Sequence, residues 1–448
     1  MNRENIRLYD TYENKVRPFK PLDGNEVDIY YCGPTVYNYV HLGNFRPTVT
    51  FDLLQRFLRE AGYDVKMVSN YTDIDDKIIK EAKKEGKSEK ELSQFYIKAY
   101  EDCLDKLNIE PLYCHPKASE YIGKMVDFIQ ALIDDGSAYK GVDDIYFSVR
   151  SVEGYGNLSK QKIDDLDAGK RIEVADEKRD PLDFALWKLT DDEGIKFDTP
   201  IGKGRPGWHT ECVVMVNDVF QKPMIDIHGG GFDLKFPHHE NEIAQSEAKN
   251  GTRLANFWMH VGFLLTDGVK MSKSLGNSTL AKDVLDRYSG NAVRLFFLST
   301  HYRAPVNYTE ENLLQAEKQI TRYQTALNKA DFHIAYNHAG AGEIISDDYG
   351  SFMNALADDL NGANALTVID REIKEINTHL AKNDDPKRVA DLVATLDKLF
   401  DIFGFRFEKR EYSEEDIRAY DDFQEARKNK DYAKSDILRK SLTEKGIL

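Results

Sequence analysis

The residues of this chain that can do chemistry gather in a few short segments. In Ile227-His228-Gly229-Gly230-Gly231-Phe232-Asp233 and Phe236-Pro237-His238-His239-Glu240-Asn241-Glu242, two histidines and two glutamates crowd into positions 238 to 242, behind a run of three glycines. With Pro237 opening a helix, His238 and Glu242 stand four apart on one face, a spacing that lets both hold one metal ion; His239 and Glu242, three apart, are the competing pair. A polar helix start with caps is the bland reading of the same residues, and the order is not the His-Glu-x-x-His of zinc proteases. The missing ligands must come from elsewhere in the chain. Cys32 ends a strand, and Cys212 closes Gly207-Trp208-His209-Thr210-Glu211-Cys212, so both can converge on one sheet edge. Two thiolates, one imidazole and one carboxylate suit zinc. Cys103 and Cys114 read instead as small buried residues.

Two further segments suit phosphate. In Gly33-Pro34-Thr35-Val36-Tyr37-Asn38-Tyr39-Val40-His41-Leu42-Gly43-Asn44, a loop leaves a strand and enters a helix. A helix N-terminus with Gly43 allowing close backbone approach is a phosphate cradle, and His41 can donate to a phosphate oxygen. On its own, His-x-Gly before a helix equally fits packing or capping. Gly268-Val269-Lys270-Met271-Ser272-Lys273-Ser274-Leu275-Gly276-Asn277 carries two lysines and two serines between glycines. Such a loop can close over polyphosphate and meet its charge at the transition state, although an ordinary basic surface loop has the same composition.

These segments need a frame to hold them. Val27 to Cys32 reads as a buried strand, ended by Gly33-Pro34, and a helix follows through Phe51, Leu54, Phe57 and Leu58 until Gly62. Asp64 to Asn70 gives a second strand, and Asp73-Ile74-Asp75-Asp76-Lys77 opens another helix with acidic residues at its positive end. Successive strand and helix units predict a parallel α/β sheet. From Pro116 to Arg205 the pattern loosens into an insertion. The α/β character returns with Gly207 to Phe220, then the strand Met224 to His228, the three glycines as a loop, a helix introduced by Pro237, and a later apolar strand from His260 to Leu265. From Tyr308 onward Leu313, Ala316, Ile320, Tyr323 and Leu327 keep helical spacing, which predicts an all-helical C-terminal third.

The chain has 448 residues, beyond what one core normally serves, and its 41% hydrophobic and 31% charged residues are those of a globular protein rather than a disordered one. The start lacks a secretory signal and no segment is apolar enough to span a bilayer, so a cytoplasmic, non-membrane protein is expected. Four irregularly spaced cysteines do not make a disulfide framework. A net charge of −16 argues against a sequence-independent nucleic-acid coat, while the local basic stretch from Arg427 through Lys445 allows a basic face or simply a solvated helix.

Taken together, the segments resemble the cysteinyl-tRNA synthetases, which are class I synthetases, over nearly the whole chain. His41-Leu42-Gly43-Asn44 corresponds to the HIGH signature, with Asn44 replacing its second His, and Lys270-Met271-Ser272-Lys273-Ser274 matches KMSKS without a change. Tyr31 to Tyr37, Asn70 to Lys77, Gly207 to Cys212 and Phe236 to Glu242 look like blocks of that family. The resemblance implies a class I Rossmann-type sheet split by a connective insertion and followed by an all-helical region. It divides the chain into a first catalytic half (1–115), the insertion (116–205), a second catalytic half with the KMSKS loop (206–300), a stem-contact region (301–330) and a helical anticodon-binding region (331–448). It implies that Cys32, Cys212, His238 and Glu242 ligate one zinc ion that binds the substrate's thiolate, with Trp208 packing along the cysteine. Thr35, Thr72, Gly231, Asp233 and the loop His41, Gly43 and Asn44 would hold substrate and ATP, and His41, Asn44, Lys270 and Lys273 would act in catalysis, with Mg²⁺ on the ATP phosphates. L-cysteine, ATP and tRNA(Cys) are then the partners of a protein that the family suggests is monomeric. The nearest rival is a related ligase that hands activated cysteine to an amino sugar; it has a shorter helical part than Tyr308 to Leu448 supplies. A non-catalytic binder has no chemical need for both an unchanged KMSKS segment and a complete ligand set.

Overall fold

A computed structural model of the chain describes residues 3–161, 178–272 and 275–448. The chain folds as two compact units: Asn2–Arg287 with Tyr302–Asn307, and Tyr288–His301 with Tyr308–Leu448.

The first unit is built on four parallel strands, β1 (Glu26–Tyr31), β2 (Asp64–Val68), β3 (Ile225–Gly231) and β4 (Ala255–Val261), in the order β4-β3-β1-β2. The last five residues of β1 are buried, as a strand flanked on both faces by helices requires. Strand β1 comes from the first part of the sequence and β3 from the second, yet they are neighbours. Connections therefore leave β1 and β3 in opposite directions, and the crevice beyond their carboxyl ends is where ligands of open α/β sheets bind. Helix α1 (Phe45–Glu60) runs back from that edge, with Phe51, Leu54, Phe57 and Leu58 buried as their spacing predicts. Between β2 and β3 the chain forms a helix (Ile122–Asp134) and an antiparallel sheet of Ala138–Lys140, Asp144–Phe147, Phe184–Leu189 and Gly204–Pro206.

Two local readings of the sequence are corrected. Gly229, Gly230 and Gly231 are not a loop but the last three residues of β3, and Gly229 pairs with Met259 of β4. A Cβ at Gly229 would lie 2.1 Å from the Met259 carbonyl oxygen and 2.7 Å from the Phe51 ring, so glycine here reflects close approach rather than a turn. The apolar run from His260 to Leu265 is likewise broken: β4 ends at Val261, and Leu264–Thr266 pairs with Val269–Lys270 as a separate hairpin. Cys103 is buried as expected, whereas Cys114 is only half-buried.

The second unit is helical through Glu310–Tyr336, Ser346–Ala357, Gly362–Lys382, Pro386–Phe403, Glu414–Lys428 and Tyr432–Glu444. Leu313, Ala316, Ile320, Tyr323 and Leu327 form one buried stripe of the first of these. Among the described residues no helix is long and apolar enough to cross a membrane.

Glu372, on Gly362–Lys382, is fully buried, and neither carboxyl oxygen has a hydrogen-bond partner. Burial, with Asp348 adding to it, pushes its pKa up to about 8. The folded state therefore retains a proton that the unfolded chain releases, and stability falls as pH rises from the ordinary carboxyl range towards 8. Glu372→Gln should raise the unfolding midpoint of the protein, with a gain that grows between pH 5 and pH 8; thermal melts of both proteins across that range check it.

Candidate metal centre and active site

Cys32 follows the last residue of β1, and its backbone N–H donates to the Gly229 carbonyl of β3 at 3.0 Å. This bond fixes the thiol at the crevice. Cys212 lies on helix α2 (Trp208–Phe220), and His238 and Glu242 lie on helix α3 (His238–Asn250). The two helices are tied by Gln245, which donates to the His209 carbonyl at 2.8 Å and accepts from Thr210 at 3.0 Å.

These elements bring Cys32, Cys212, His238 and Glu242 together with their ligand atoms within 4.8 Å of one another. The two sulfurs are 3.7 Å apart, Cys32 Sγ is 3.8 Å from Glu242 Oε1, Cys212 Sγ is 3.7 Å from His238 Nε2, and His238 Nε2 is 2.9 Å from Glu242 Oε1. Sulfurs at about 2.3 Å from a tetrahedral zinc stand about 3.7 Å apart, so the thiol pair matches the edge of that coordination shell. A second group of ligand atoms equally close together is Cys32, His228, His239 and Glu242.

The hydrogen bonds around the cluster separate the histidines by role. His228 Nδ1 donates to the Tyr30 carbonyl at 2.8 Å and Nε2 to Glu242 Oε2 at 2.6 Å, so both ring nitrogens carry protons and the second carboxylate oxygen is engaged. His239 Nδ1 meets His260 Nε2 at 2.8 Å, and His260 Nδ1 meets the Thr11 hydroxyl at 2.9 Å. At the inner end of that chain, His239 Nε2 lies 3.3 Å from Cys32 Sγ. His238 Nδ1 lies 3.0 Å from His209 Nδ1, leaving Nε2 to face Cys212 and Glu242. That is the arrangement in which a ligating imidazole is oriented through its other nitrogen.

The electrostatics of these buried groups are coupled to one another. Burial drives the Cys32 thiol well up, and its neighbour Cys212 adds to this. Cys212, accepting from Cys32 and lying beside His238, is held down at about 7. Burial opposes ionisation of Glu242, but the charges of His238 and His228 hold its carboxyl well below the usual range. Burial also opposes the charge on His238, yet Glu242 raises it to about 10. Soft anionic sulfur and a carboxylate are thus packed where only a metal or shared protons can balance them.

Beside the cluster opens a cavity of about 460 Å³, lined among others by Cys32, Thr35, His41, Gly43, Asn44, Trp208, Gly231, Asp233 and Lys270. Trp208 stacks on His238 with ring centroids 4.1 Å apart and remains 39% exposed. It is therefore both a wall of the cavity and a brace for the imidazole. A Cβ on Gly43 would come within 3.1 Å of the His41 ring and 3.2 Å of Leu264, so the cradle closes too tightly for a larger residue. The Asn44 side-chain oxygen accepts the His41 backbone N–H at 3.1 Å, which turns the donor end of the amide to other partners. Lys270 Nζ pairs with Asp233 at 3.1 Å and sits 4.5 Å over the Phe263 ring. Asn277 braces that loop by accepting from the Ser272 N–H at 2.9 Å and donating to the Lys270 carbonyl at 3.1 Å. Lys273 lies outside the described residues.

Comparison with known proteins converges on the same description. Residues 18–318 match the model of the tRNA synthetases class I (C) catalytic domain, and residues 351–408 match the DALR domain. The chain is 42% identical to the cysteine–tRNA ligase of Geobacillus thermodenitrificans, over 99% of this chain and 96% of that protein. It is 43% identical to the cysteine–tRNA ligase of Acholeplasma laidlawii, over 99% and 100% respectively. The chain belongs to the cysteine–tRNA ligase family. Solved class I synthetases share the fold at low identity. Mycobacterium tuberculosis methionyl-tRNA synthetase in complex with methionyl-adenylate aligns at a TM-score of 0.60 and 15% identity, covering 85% of this chain and 90% of that one. A LeuRS–tRNA–LeuAMS complex of Agrobacterium radiobacter aligns at 0.63 and 12%, covering 86% and 84%.

Within this family member, most of the residues expected from sequence line the cavity or form the cluster, and Thr72 does neither. It is 2% exposed, and its hydroxyl donates to Glu211 Oε2 at 2.6 Å, behind the cavity wall. Sequence reasoning did not single out the supporting ring of His209, His228 and His260. His228 and His260 each interrupt a buried strand and His209 follows Trp208 on α2, and those positions were the signal available. Lys77, Tyr37 and Tyr100 also line the cavity and were not singled out.

Glu211 is itself fully buried, its Oε1 has no hydrogen-bond partner, and burial raises its pKa well above the ordinary value. Thr72 supplies the hydrogen bond to its other oxygen. Thr72→Val, nearly isosteric, should therefore cost about 1–3 kcal/mol of stability, read as a lower urea midpoint with an unchanged slope.

Proposed function

We propose that this chain is a cysteine–tRNA ligase that activates L-cysteine with ATP to cysteinyl-adenylate and pyrophosphate, then passes cysteine to the 3′ end of tRNA(Cys). The observation that carries the proposal is the buried group Cys32, Cys212, His238 and Glu242 beside a cavity walled by Trp208 and the His41 to Asn44 cradle. Full-length likeness to proteins named for this activity supports it.

In this reading the metal is zinc, held by Cys32, Cys212, His238 and Glu242 Oε1, while His239 donates to Cys32 and His228 fixes the far carboxylate oxygen. Only the His238 group includes both thiols, which favours it over the His239 group. Zinc bound there supplies a soft position that prefers a substrate thiolate to the harder, far less acidic hydroxyl of serine. Selection of that strength makes a separate editing site unnecessary.

The chain's own residues do the rest by positioning and charge. Trp208 packs along the amino acid, Thr35 borders it, and Gly231 with Asp233 holds the nucleoside. His41 and Asn44 donate to the phosphates at the helix N-terminus. The substrate carboxylate is already ionised and attacks the α-phosphate in line, so no general base is required. Lys270, released from Asp233, and Lys273 meet the departing pyrophosphate, and Mg²⁺ bound with ATP would share its charge; the part of Lys273 rests on the sequence match alone. Thr72 supports the site through Glu211. Residues 331–448 would serve the anticodon and 301–330 the stem, in a cytoplasmic monomer as the family resemblance suggests.

Pyrophosphate exchange into ATP, measured without tRNA, should proceed with cysteine and fail with serine, and Lys270→Ala should lower its rate at least tenfold with the metal retained. Cysteine should then be transferred to tRNA(Cys) and not to an amino sugar. Folded, metal-loaded protein that supports no exchange would refute this reading.

A further inference from the structure

Phe95, on the helix Glu89–Lys106, is 48% exposed although it belongs to an aromatic cluster. Its ring stands edge-on to Tyr39 at 6.0 Å and to Tyr96 at 5.1 Å. The Lys87 ammonium lies 5.1 Å over the Phe95 ring, and Lys282 lies 4.9 Å over Tyr39. A lone exposed phenylalanine needs no explanation. An exposed ring set among aromatics and capped by lysines does, because this pairing of π-faces with cations is how proteins hold unpaired nucleotides.

The position of the cluster adds a second argument. A small hollow between Tyr39, Tyr96 and Lys282 is also lined by Val40 and Tyr100, and both of these line the large cavity as well. Tyr39 is two residues before His41, so the patch is the outer lip of the active-site cavity. Lys77 continues the cationic edge inside it, 5.7 Å over the Tyr37 ring. Lys87 is paired with Glu85 and Lys282 with Asp283, each at 2.7 Å, which tempers their charge. Ring stacking rather than net charge is thus the main contribution the lip offers.

We propose that this lip is a stacking platform for the unpaired 3′ end of the tRNA, with a base on the exposed face of Phe95 and the adjoining phosphates near Lys87 and Lys282. The proposal rests on the aminoacyl-transfer reading above and names where the acceptor strand lies outside the cavity. Phe95 is a positioning residue: it touches the strand before the reacting nucleotide and takes no part in cysteine activation.

The test compares the full-length protein with Phe95→Leu, which keeps apolar bulk but removes the π-face, and Phe95→Tyr, which restores it. Cysteine-dependent pyrophosphate exchange without tRNA should stay within about twofold in all three, while the KM for tRNA(Cys) transcript should rise about tenfold in Phe95→Leu and return in Phe95→Tyr. A transcript carrying 2-aminopurine in its unpaired 3′ end should be quenched on binding the native and Tyr proteins, and not the Leu protein. Equal KM and equal quenching in Phe95→Leu would overturn the platform. So would equal weakening by Leu and Tyr, which would mark a packing or protein-docking surface. Absence of exchange in the native protein would instead remove the activation reading, and the quenching experiment would still decide the platform.

Discussion

Two thiols and a carboxylate held within 4.8 Å of one another in a buried place would repel if all were ionised and are costly to desolvate, and the sheet edge of the first unit is arranged around that constraint. A cation in their midst relieves both costs. The fold meets the constraint at the point where β1 and β3 diverge: one thiol at the end of β1, the other on α2, and the imidazole and carboxylate one turn apart on α3. Further histidines then back three of the four residues, His238, Glu242 and Cys32. His209 orients His238, His228 engages the far oxygen of Glu242, and the chain from Thr11 through His260 and His239 reaches Cys32. The residues are thus held by hydrogen bonds from a surrounding shell, the arrangement that orients ligands where a metal binds.

The cavity opens at the same edge of the sheet. The cradle at the start of α1, the glycines that end β3 and the hairpin bearing Lys270 surround one cavity, and Cys32 borders it. The cluster and the cavity thus meet across a single wall, with Trp208 stacked on His238 on one side and open to the cavity on the other. The Lys270–Asp233 pair holds a lysine of the hairpin against a carboxylate of the cavity wall. It is an exchangeable contact between partly exposed groups, weak enough for substrate phosphate to replace.

Much of this was legible in the sequence because the groups concerned lie close together in it. The His238 to Glu242 spacing, the Lys270 to Ser274 segment and the helical stripe beginning at Leu313 are local patterns with direct physical meaning. Cys32 and Cys212, 180 positions apart, could be joined to them only as residues expected at the same sheet edge. What escaped reading depended on contacts between distant segments. The three glycines looked like a loop because their requirement is the proximity of Met259 and Phe51, which no local pattern carries. The role of His228 is set by the Tyr30 carbonyl and by Glu242, and the burial of Thr72 by Glu211. For His238 against His239, sequence spacing left both open, and the structure adds that the His238 group alone of the two brings in both thiols.

The central claim is that the cluster binds a metal that takes the substrate's sulfur as a further ligand. The most direct measurement is the absorption spectrum of protein loaded with cobalt(II) in place of zinc, recorded before and after adding cysteine or serine without ATP. The account predicts sulfur-to-metal charge-transfer bands from Cys32 and Cys212 that intensify with cysteine and do not change with serine. Bands that respond to neither amino acid, or to both alike, would contradict it.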